Sequence, residues 1–157
     1  MLYLEAGGGG QKTESYELAM YFMARHTSID CYEKRGHKGY LFIIGDEMPY
    51  AAVTRHQVMD IIGDTLEEAI ATDYIARELQ EKYEVFSILP TGAAHGRDPQ
   101  VLKTWRDLFG QSALQIDDPN AICELIALQI GLCEGIDLDD AKRDLVAVGA
   151  SAGAVAA

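Results

Sequence analysis

Two short stretches of the chain gather residue types suited to ligand chemistry. One is the run Gly7, Gly8, Gly9 and Gly10, followed by Lys12, Thr13 and Ser15; the other is Asp46 with Glu47, directly behind the apolar residues 40–44. Four glycines in succession let a backbone approach a ligand closely or adopt positive φ. A carboxylate just past an apolar strand stands at the rim of a sheet, where it can hold a hard cation or a water. Thr13 and Ser15 supply neutral oxygens for the same purpose, and either is equally suited to capping the helix that opens near Glu14.

The glycine run invites a phosphate-loop reading, because residues 6–13 read AGGGGQKT and residues 41–47 read LFIIGDE, an apolar strand with an acidic end. A phosphate loop needs Gly-x-x-x-x-Gly-Lys-Ser/Thr, whose second glycine lets backbone N–H groups close around a phosphate just before the lysine. Counting back from Lys12 places Ala6 and Gln11 at the two glycine positions. A dinucleotide fingerprint starting at Gly7 or Gly8 would need glycine at Lys12 or Thr13. A phosphate- or nucleotide-binding enzyme using residues 7–13 and Asp46 is therefore the alternative reading, not the leading one.

Other chemistries have weaker footing. His26, His37, His56 and His95 include no pair at i,i+4, so a zinc enzyme is not expected. Cys31, Cys123 and Cys133 form no close metal-type pair, and the latter two lie in apolar helical runs where buried thiols are ordinary. Ser87 falls in a strand, not at a strand-to-helix turn, so its company with His95 and Asp98 makes no nucleophile elbow. Trp105, with Leu102 and Leu108 around it, reads as core, and His95 belongs to a loop on the ligand side of the sheet.

The elements that must position these residues follow from periodicity. Residues 1–5 read as a strand, and the chain from Glu14 as a helix with Leu18, Tyr21, Phe22 and Arg25 at three- and four-residue spacing. Residues 40–44 are continuously apolar, as in a strand buried on both faces near the middle of a sheet. Residues 54–62 read as a short helix ended by Gly63. Thr65 and Glu68 have the spacing of a capping box opening a helix to about Lys82. Residues 84–89 form a third strand, 99–109 a helix capped by Asp98, 113–116 a fourth strand, 120–130 a helix opened by Asp117, Asp118 and Pro119, and 137–147 a last helix. Alternating strands and helices predict an α/β fold, a doubly wound, mostly parallel sheet with helices on both faces. Ligands on such sheets bind beyond the carboxyl ends of the strands, where both stretches lie.

Length and charge bound the partners. A chain of 157 residues suits one domain, expected over 1–148 with a small-residue tail over 149–157. Its 13 Lys and Arg against 25 Asp and Glu leave a formal charge of −12 with no basic block, which argues against nucleic acid and against an anionic membrane surface. No stretch has the length of an apolar spanning segment, and nothing marks export, so a cytoplasmic setting is expected.

The blocks GGGGQKTESYELAMYFMARHT (7–27) and RGHKGYLFIIGDEMP (35–49) resemble the later half of a von Willebrand factor A-like domain of the bacterial and phage-associated type. The resemblance implies an incomplete, Rossmann-like doubly wound sheet carrying a metal-ion-dependent adhesion site, in which Mg²⁺ bridges the domain and an acidic residue of a partner. Three loops build that site in the family: Asp-x-Ser-x-Ser, a Thr-bearing loop before a helix, and an Asp after a later strand. Here Thr13, or else Ser15, matches the second and Asp46 the third, while Asp-x-Ser-x-Ser does not occur. The expectation is a non-enzymatic protein-interaction module, a fragment or a shortened relative, with a partial divalent-metal site. It would assist a partner ATPase or scaffold, and would self-associate or need a complementing partner.

Overall fold

The computed structural model describes residues 12–147. The strand expected over 1–5, the glycines Gly7, Gly8, Gly9 and Gly10, and the tail over 149–157 lie outside the described residues.

The chain begins with a two-residue strand β1 (Thr13–Glu14) and the helix α1 (Tyr16–Arg25). A short helix α2 (Asp30–Arg35) precedes the strand β2 (Gly39–Ile44). Two-residue strands β3 (Met48–Pro49) and β4 (Ala52–Val53) lead into α3 (Arg55–Gln57), which widens into a π-helical turn over Val58–Ile62. Then come β5 (Ile70–Ala71), α4 (Thr72–Lys82), the long strand β6 (Tyr83–Pro90), α5 (Pro99–Phe109) and β7 (Ala113–Ile116). The helices α6 (Ile122–Cys133) and α7 (Leu138–Ala147) follow.

The main sheet has three strands in the order β2-β6-β7, all parallel, with Leu41 opposite Val85 and Ile88 opposite Leu114. Strand alternation sends Tyr83, Val85 and Leu89 to one face, where they join Leu18, Met20 and Tyr21 of α1, Ile75 and Leu79 of α4, and Val101, Trp105 and Phe109 of α5. Ile88 and Ile116 point to the other face and pack on Ala121 and Leu125 at the start of α6. Helices thus cover both faces of a mostly parallel sheet, the arrangement that continuous apolar strands require. Among the described residues no helix is long and apolar enough to cross a membrane.

Four local expectations are corrected. Residues 40–44 do not lie in the middle of the described sheet: β6 does, paired on both sides and buried along most of its length, whereas β2 is half-buried. The capping box is at Thr54 and Gln57, not at Thr65 and Glu68. Val53 and Ile70 pair antiparallel and carry Val53 into the core, which holds the chain extended up to Ala71 and delays the helix until Thr72. The helix α2 has no counterpart in the periodicity because none of its residues is buried, and it ends at Gly36 with φ 68°. Cys123 and Cys133 are exposed, since α6 buries only one side of an almost wholly apolar helix. The caps at Asp98 and Asp118 are as expected, each accepting from the N–H two residues on.

Candidate functional site

The segment after β2 carries Asp46, and nearly every residue in it is held by a different element. Gly45 N–H donates to Ile88 O at 3.2 Å, extending the register of β2 by one residue. Asp46 Oδ2 accepts the backbone N–H of His95 at 2.9 Å, so the loop after β6 orients this carboxylate. The indole of Trp105 donates to Glu47 O at 2.9 Å. Met48 N–H donates to Lys12 O at 2.9 Å, and β3 pairs in parallel with β1, placing Thr13 opposite Met48 and Glu14 opposite Pro49. Tyr50 N–H donates to Glu17 Oε2 at 3.0 Å. Six residues with little period of their own, Gly45 to Tyr50, are thereby fixed from α1, β1, β6, α5 and the loop after β6.

This clamp brings together the two sequence blocks that carry the candidate chemistry. Thr13 and Ser15 flank the turn from β1 into α1, on the strand that runs beside Met48 and Pro49. Ser15 occupies the N-cap position of α1, yet its side chain makes no capping bond. The sequence favoured capping over ligation for this hydroxyl, and among the described residues it makes no capping bond. The Lys12 ammonium pairs with Asp98, which holds that carboxyl below the usual range, the Gln100 N–H adding to the effect.

Electrostatically the site is a concentration of acid. Burial, then the charges of Glu14 and Asp46, raise the Glu47 carboxyl above the ordinary value. Glu47 Oε2 is buried with no hydrogen-bond partner among the described residues. Tyr16 is raised by burial and then by its bond to Glu14, with Asp46 and Glu47 adding to it. Its ring meets Trp105 edge-on at 5.3 Å, and its hydroxyl lies so near Gly45 that a side chain at that position would collide with it. Among the described residues no group of three or more His, Cys, Asp or Glu side chains is placed to hold a metal ion. What the segment presents is one oriented carboxylate, Asp46, beside an orphaned buried carboxylate oxygen of Glu47.

The sequence pointed to Asp46, Thr13 and Ser15, and the fold draws their segments together. It did not point to Glu14, to the Trp105 bond or to Glu17. Glu17 is wholly buried in the first turn of α1, with Oε2 on Tyr50 N–H and Oε1 without a partner. Burial raises its pKa against the lowering effect of its hydrogen bonds. A carboxyl raised on folding contributes stability below its unfolded value near 4.3, and that contribution is lost as pH rises through the folded value. Glu17→Gln keeps an acceptor for Tyr50 without the charge. Urea titrations from pH 4 to pH 7 should therefore show the variant gaining on the native chain as pH rises; a constant difference would mean that Glu17 titrates as it does when unfolded.

No family model matches the chain, and neither a curated protein nor a solved structure matches it.

Proposed function

We propose that the chain is a non-enzymatic protein-interaction module that binds a divalent cation, Mg²⁺ by preference, at the carboxyl end of β2, and through it an acidic group of a partner protein. Asp46 is the charged ligand, with Thr13 and Ser15 as neutral oxygens and water completing the shell. The observation that carries this reading is the buried Glu47 Oε2, beside Asp46 and within reach of the Glu14 charge, that no side chain or backbone group of the described residues answers. Leaving such an oxygen unpaired costs more than an ordinary missing hydrogen bond, and a cation bound at Asp46 would lower that cost. The resemblance to von Willebrand factor A-like domains agrees with the position of Asp46 and supplies the idea of an acidic partner group. The phosphate-binding alternative gains nothing from the site, because Lys12 is engaged by Asp98 and the surrounding charge is negative.

Calorimetric titration of Mg²⁺ and Mn²⁺ into the chain and its Asp46→Ala variant tests the proposal. Binding that weakens by about tenfold or more in the variant, equivalent to about 1.4 kcal/mol, is the expected result. A folded native chain that takes up neither ion would sink the cation site.

A further inference from the structure

The outer edge of β7 is a second feature of the fold that asks for a partner, and its unpaired backbone groups are not part of the proposed cation site. In a parallel ladder, alternate residues of a strand bond to the same neighbour. Ile116 O accepts from Thr91 N–H at 2.8 Å, on the β6 side, so Leu114 and Ile116 face β6 and the backbone groups of Ala113 and Gln115 face outward. Ala113 N–H is taken by Gly110 O in the turn before the strand. Ala113 C=O, Gln115 N–H and Gln115 C=O make no hydrogen bond to the described residues. They open into a groove of about 560 Å³, walled on one side by Arg106 of α5 and Gln111 in the turn after it, and on the other by Leu114 and Leu125.

We infer that this groove takes an extended peptide segment of a partner protein as a fourth strand on β7. A strand laid there sends alternate side chains to opposite faces of the sheet. Those on the α5 side meet the Arg106 guanidinium, which makes no ion pair among the described residues, and those on the α6 side meet Leu114 and Leu125. The occupant is thus a segment alternating a carboxylate with an aliphatic residue. A second copy of this chain fits less well, because its own edge reads Ala-Leu-Gln-Ile and carries no carboxylate for Arg106.

A fluorescein-labelled peptide of alternating valine and glutamate, read by anisotropy, is the probe. It should bind, its lysine-for-glutamate counterpart should not, and Arg106→Glu should weaken binding by about tenfold or more. Arg106 is exposed, so that variant is expected to fold. By amide exchange, Gln115 N–H should exchange freely in the unliganded chain and become protected with the peptide. Equal binding of both peptides, or binding indifferent to Arg106→Glu, would overturn the inference. So would a Gln115 N–H already protected in the monomer, which would place the chain's own segment on the edge, or one protected only with dimer formation, which would place a second copy there.

Discussion

Gly96→Ala should destabilise the fold by about 3 kcal/mol, at the upper end of the usual cost of overpacking, and should loosen Asp46 at the same time. A Cβ at Gly96 would stand 1.8 Å from Pro90 O, 2.7 Å from its carbonyl carbon and 3.0 Å from Thr91 Cα. These are backbone atoms at the end of β6 and cannot rotate aside as a side chain does. Pro90 is held opposite Ile116 by the sheet, and Gly96 O is held by the Gln115 side chain at 2.9 Å, so neither partner has room to yield. The remaining freedom is to move the loop itself. His95, one residue earlier, then carries its N–H away from Asp46 Oδ2. Urea denaturation should report the loss of stability, and the His95 amide should lose protection from exchange. Gly92→Ala is the control within the same loop, since a Cβ there meets nothing within 4 Å. Equal stability of the two variants would mean that the close packing at Gly96 does not hold in solution.

The same loop shows how far the sequence carries. An apolar run ending in Gly-Asp-Glu was enough to put Asp46 at the rim of a parallel sheet, because such runs need cover on both faces. What holds Asp46 there was not legible, since the holding group is a backbone N–H forty-nine residues away that any residue type but proline supplies. The paired strands β1, β3, β4 and β5 were missed for a related reason: two residues make no period, and their pairing depends on chain paths that only the whole fold defines. The box at Thr54 and the one suggested at Thr65 have the same local chemistry, Thr followed three residues later by Gln or Glu. Burial of Val53 beside Ile70 decided between them, a tertiary effect that local spacing cannot express. Caps written in one dipeptide, Asp98-Pro99 and Asp118-Pro119, were legible because all their chemistry is local.

Trp105 carries the largest expected loss. Its side chain is 1% exposed, stacks on Phe109 at 5.9 Å, meets Tyr16 edge-on and donates to Glu47 O. Trp105→Ala should cost about 4 kcal/mol, the range found for truncating a buried aromatic, and should collapse the wall on which Tyr16 rests. Trp105→Phe separates the two roles. It keeps most of the ring packing and removes the indole donor, leaving Glu47 O short of a partner at a cost of about 1–2 kcal/mol. As this is the only tryptophan, circular dichroism is the better readout of unfolding for both variants. If the bond positions the acidic segment, Trp105→Phe should weaken Mg²⁺ and Mn²⁺ uptake far more than its modest stability loss would suggest, because Asp46 and Glu47 are adjacent on one short turn. If Trp105→Phe binds the ions as the native chain does, the indole serves the core alone, and the orientation of Asp46 rests on His95.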